Sequence, residues 1–132
     1  MTNSNQSSIQ VAKNYFGAIN ESRLDDLANV FAEDATLSFP MLNPMRGRMA
    51  IRDFYAGIMN SYPERYDKVT RWFVSDDADV AAEIHFEGRT TTGRSVIFDA
   101  VDLFRISDGQ IHELLIFYDS ARVLKMIGEV PQ

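Results

Sequence analysis

The feature that most constrains this chain is a change of period near its midpoint. Up to about residue 62 the apolar residues recur at helical spacing, and from Tyr66 onward they alternate. The alternating part divides into Tyr66–Ser75, Val80–Thr90, Arg94–Ile106 and Gln110–Tyr118. The breaks between them, Asp76–Asp79, Thr92–Gly93 and Ser107–Gly109, are turn-like and hairpin-sized. Such a run predicts an antiparallel meander with the helices packed on one face, an α+β domain. A long, curved sheet is not filled by three short helices, so the expected shape is a hollow cone around a pocket.

The helical half reads in order. Residues 1–7 are polar and predict a disordered tail with a serine cap at its end, so the domain is expected to span 8–128. Ile9, Ala12, Phe16 and Ile19 form a helical stripe flanked by Val11, Tyr15 and Ala18. A short second helix carries Leu24, Leu27, Val30 and Phe31, and a strand over Ala35–Phe39 stops at Pro40. After a loop over Pro40–Gly47, Ile51, Phe54, Tyr55 and Ile58 share a third helical face that ends before Pro63. A last helix is predicted over Ser120–Ile127.

Composition narrows the function classes. A net charge of −6 with scattered basic residues argues against nucleic acid. With no cysteine there is no disulfide, thiolate nucleophile or thiolate metal site. Two distant histidines give no metal-ligand spacing, and no glycine-rich phosphate loop is present, so neither metal nor cofactor is expected. The N-terminus does not read as a signal peptide and no apolar stretch reaches membrane-spanning length, so a cytoplasmic protein is expected. Fifteen aromatics and six methionines suit an ordinary core first and a cavity wall second.

Alternation assigns the strand faces. Val96, Phe98, Ala100, Asp102, Phe104 and Ile106 share the better core face of their strand, and Asp102 is its only charge. A carboxylate among such neighbours loses hydration, which raises its pKa unless a partner compensates. The alternatives are a register that turns this face outward, or an aspartate satisfied by hydrogen bonds. Ala82, Ile84, Phe86 and Gly88 form the inward set of the preceding strand, leaving His85 outside with Glu83 and Glu87. On the last strand His112, Leu114, Ile116 and Tyr118 share one face, with His112 beside a turn at the sheet's edge. The outward residues Val101, Leu103, Leu115 and Phe117 would leave an apolar patch, which suggests a homodimer through the convex face of the sheet.

The run FAEDATLSFP followed by GRMAIRDFYAGIM, and the strand-and-turn VDLFRISDGQI, resembles ketosteroid isomerase. The wider superfamily includes nuclear transport factor 2, SnoaL polyketide cyclases, limonene epoxide hydrolase and scytalone dehydratase. The resemblance runs from about Val11 to Gly128 and implies a cone-shaped, cystatin-like α+β barrel. It implies an oxyanion hole from Tyr15, in VAKNYFGAIN, and Asp102, in AVDLFRI, as catalytic residues. The pocket around them would be lined from the helical half by Phe16, Phe39, Phe54, Tyr55 and Ile58. Phe86, Phe98, Ala100, Phe104, Leu114, Ile116 and Tyr118 would line it from the sheet.

The isomerase base precedes the proline that ends the first strand, and here that position is Phe39, which accepts no proton. Limonene epoxide hydrolase uses an Arg and an Asp two apart on an inward face and a further Asp on the last strand. The corresponding positions read as Ile84, Phe86 and Ile116, and the histidine pair of scytalone dehydratase is not matched by the outward His85. SnoaL-type cyclases use an acidic base, for which Asp119 is the nearby acid, with helix capping as its competing role. The leading expectation is an isomerase- or cyclase-like enzyme for a small, mostly apolar carbonyl compound. The rivals are a non-catalytic binding module and a dimerisation domain of the same fold.

Overall fold

The computed structural model describes residues 4–128, with side chains from Ser7 onward. Its first elements are α1 (Ser4–Asn20), α2 (Leu24–Asn29), β1 (Phe31–Ser38), β2 (Met45–Arg46) and α3 (Arg48–Ser61). The meander follows as β3 (Glu64–Val74), β4 (Val80–Arg89), β5 (Ser95–Ser107) and β6 (Gln110–Tyr118), and α4 (Ser120–Ile127) closes over it. The strands form one sheet in the order β2-β1-β6-β5-β4-β3. Every pairing is antiparallel except β1 with β6, which is parallel. The sheet is curved and does not close, leaving β2 and β3 as its edges.

Besides β2, which forms within the expected loop 40–47, and shifts of a few residues at other strand ends, three features differ from the sequence reading. Helix α1 begins at Ser4, ahead of the expected serine cap, so residues 4–7 are helical; the expected tail at 1–3 lies outside the described residues. Phe31 opens β1 instead of closing α2, and Val30 caps that helix. The side chain of Phe31 is fully buried, while its carbonyl accepts from Arg48 Nε at 2.9 Å and Nη2 at 2.6 Å. His112 is the third: the register of β5 with β6 slips between Arg105–Glu113 and Ile106–Ile111. This bulge turns Ile111 inward and leaves His112 exposed, against Ser107 O at 3.2 Å.

The concave face of the sheet and the helices bury a main core, with a smaller cluster of Phe86, Val96 and Val123 apart from it. Tyr15 belongs to the main core and makes edge-to-face contacts with Phe16, Phe31 and Phe104. Because β3 is an edge strand, half of its backbone groups have no neighbouring strand to bond. At Asp67 the Asn20 side chain takes their place, accepting from the Asp67 N–H at 2.8 Å and donating to its carbonyl at 2.9 Å. Arg65 reinforces this junction through bonds to Ile19 O at 2.7 Å and Ser22 Oγ at 2.6 Å. The end of α1 is thus clamped to the edge of the sheet.

Candidate functional site

A cavity of about 180 Å³ lies between the concave sheet, the inner faces of α1 and α3, and α4. Tyr15 reaches it from α1, Tyr55 and Ile58 from α3, and Phe39 from just past the end of β1. Phe86, Phe98, Ala100, Ile116 and Tyr118 line it from the sheet. The rings make a continuous wall: Phe98 lies 4.8 Å from Phe86 and 4.7 Å from Tyr118, and Phe39 meets Tyr118 edge-on at 5.5 Å. Val123, Leu124 and Ile127 of α4 cover this space, and the Asp119 carboxylate starts that helix by accepting from the Arg122 N–H at 3.1 Å. Asp119 therefore serves as the helix cap and is not among the lining residues.

Four residues of the expected lining lie elsewhere. Phe16 packs against Trp72 and Phe104, and Phe104 and Leu114 are sealed in the core. Phe54 stands behind the wall, against Phe39 and Tyr55. These side chains share the inward faces of their elements, but the cavity occupies only one end of the cone, and at the other end the same faces meet each other.

Two carboxyl groups and four phenols line the cavity. Asp102 is 4% exposed, set between Ala82 on β4 and Ile116 on β6, and accepts no hydrogen bond among the described residues. Burial, then the charge of Asp67, pushes its pKa well above the usual carboxylate range. The hydroxyls of Tyr15 and Tyr55 are hydrogen-bonded to each other. Burial first, with contributions from the nearby acids, raises both phenols well above their ordinary value. Tyr62, at the end of α3, is raised by burial, and Tyr118, at the end of β6, is pushed up to about 12 by burial and then by Tyr62.

The sequence reading missed Asp67 and Arg65, both of which line the cavity from β3. Burial pushes the Asp67 carboxyl up to about 6, opposed by the Arg65 cation. Arg65 is itself lowered by burial, and its Nε is enclosed without a partner. An Arg and an Asp two apart on an inward face are therefore present, on β3; of the positions where the resemblance placed such a pair, Phe86 lines the cavity and Ile84 lies in the core. Outside the cavity His85 faces away from it, as expected, with Nδ1 2.9 Å from Asp99 Oδ1.

A family model for the SnoaL-like domain matches residues 12–114, so the chain belongs to the SnoaL-like domain family. Among solved structures, a Jannaschia protein provisionally designated a SnoaL-like polyketide cyclase superposes with a TM-score of 0.85 at 19% identity, over 96% of this chain and 94% of that one. A Catenulispora acidiphila protein with a ketosteroid-isomerase-like fold, solved with trimethylamine, gives 0.81 at 19% identity, over 92% and 93%. A Burkholderia pseudomallei protein of the nuclear-transport-factor-2-like fold gives 0.85 at 15%, over 92% and 98%. At these identities the likeness is one of fold.

Proposed function

We propose that this protein is an isomerase- or cyclase-like enzyme that binds a small, mostly apolar carbonyl compound in the cavity and stabilises its enolate. The observation that carries this reading is Asp102, buried with no hydrogen-bond partner among the described residues and lining the same cavity as the Tyr15–Tyr55 pair. A carboxyl whose pKa is raised by burial keeps its proton and donates it as a hydrogen bond. The tyrosine pair adds a second donor, because one hydroxyl of the two always has a proton to offer. Donors fixed in a dry site before charge develops on oxygen lower the barrier without reorganisation, each by about 3 kcal/mol in known cases.

The apolar convex face of the sheet belongs to the same reading, as the contact surface of a homodimer. Val101, Leu103 and Phe117 are 40%, 38% and 55% exposed there.

A phenolate imitates an enolate oxygen, so β-naphthol is the probe for the site. Asp102→Asn should weaken its binding about tenfold or more, read by fluorescence titration. Unchanged affinity in that variant would sink the enolate reading.

A further inference from the structure

The enolate reading supplies donors for an oxygen but no acceptor for the proton that leaves carbon, since position 39 is a phenylalanine. We propose that Asp67 is that proton acceptor, and that Asn20 and Arg65 are the positioning residues that hold it at the cavity; the proposal rests on the enolate reading.

The geometry eliminates the other acids near the site. Asp119 is spent on the cap of α4. Asp102 is the more deeply enclosed of the two cavity carboxyls and is needed as a donor. Asp67 lines the cavity, and its carboxyl accepts no hydrogen bond among the described residues, so its lone pairs are available. Its backbone is held from outside: both bonds from Asn20 fall on the Asp67 peptide groups and leave the side chain free to face inward. Arg65, two residues back on the same face, is immobilised by Ile19 O, Ser22 Oγ and, at 3.3 Å, Tyr62 O. It places a fixed positive charge beside Asp67 without forming an ion pair with it.

The step balances within the site. The Asp67 carboxylate takes the proton from the carbon next to the carbonyl. The C–H electron pair becomes the C=C bond, and the carbonyl π pair moves to oxygen, where the Asp102 O–H and the tyrosine pair receive it by hydrogen bonds. Asp67 then returns the proton to carbon, with no oxidant or co-reactant. The charged and titratable groups that bear on Asp67 are Arg65 on β3, Tyr15 on α1, Tyr55 on α3 and Asp102 on β5. With a pKa near 6, Asp67 is largely ionised at neutral pH and still basic enough to accept a proton.

The test is exchange of the α-hydrogens of β-tetralone in heavy water, followed by proton NMR. The wild type should accelerate exchange, with a rate that rises through about pH 6 and then levels. Asp67→Asn should lose about 100-fold or more of that rate while binding β-naphthol within about threefold of wild type. Arg65→Gln should move the inflection to higher pH, a readout that a purely structural role would leave in place. The proposal is overturned if Asp67→Asn exchanges within about threefold of wild type, if it loses β-naphthol binding as well, or if the wild type binds β-naphthol yet exchanges no faster than buffer. Exchange that survives Asp102→Asn but not Asp67→Asn would instead overturn Asp102 as a donor to the enolate oxygen and leave Asp67 as the acceptor.

Discussion

Asp67 couples the site to stability. Its carboxyl holds a proton more tightly in the folded chain than in the unfolded one, so folding takes up a proton between the ordinary aspartate range and about 6. The stability tied to that proton is complete below about pH 4, is lost as the pH rises through this window, and is gone above it. Asp102 acts with the same sign and extends the loss to higher pH. Asp67→Asn should therefore flatten this part of the profile and stabilise the protein at neutral pH by roughly 1–3 kcal/mol, since no hydrogen bond to the carboxyl is given up. Urea unfolding across the window checks this, and a steeper slope in the variant would contradict it. Asp102 was legible in the sequence because it interrupts an otherwise apolar face. Asp67 was not, because Arg65, Tyr66, Asp67 and Lys68 show no such contrast. Stepping back by twos from the half-buried Trp72 puts Tyr66 inside, whereas the register shift between Val69 and Arg71 puts Arg65, Asp67 and Val69 there. A one-residue bulge concealed the pair.

At the scale of elements, the end of α1 is tied to β3 by hydrogen bonds of Asn20 and Arg65, beside the ring contact of Phe16 with Trp72. Asn20→Ala removes two hydrogen bonds to one edge-strand residue and should cost about 1–2 kcal/mol. Amide exchange should localise the change: the Asp67 N–H loses protection while the β4–β5 ladder keeps its own. Protection lost evenly over the sheet would mean that the clamp does not act locally. The elements themselves were largely readable, and β6 and α4 fall where their spacing placed them. Phe31 went astray because its spacing from Leu27 also fits the helical stripe, and only the tertiary pairing of β1 with β6 draws it into a strand. Strict alternation groups His112 with Leu114, Ile116 and Tyr118, a set that the bulge divides.

The whole molecule presents two surfaces with opposite demands, a concave one around the cavity and a convex one that leaves Phe73, Ile97 and Phe117 exposed. The proposed homodimer covers the second. Phe117→Glu places a charge on it without touching the cavity lining and should halve the mass observed in sedimentation. A wild type that sediments as a monomer would refute the dimer and leave the site untouched.

The Asn20 clamp also bears on how these molecules behave in a crowded solution. A strand with free N–H and C=O groups invites a strand from another chain to dock beside it, the first step toward fibrous assembly. Asn20 fills one such rung of β3 with an amide of the chain itself, and at the opposite edge β2 is only two residues long. A sheet that curves without closing thus has one rung of its long margin occupied by its own chain and only a two-residue strand at the other, so each margin offers an incoming strand a shorter template.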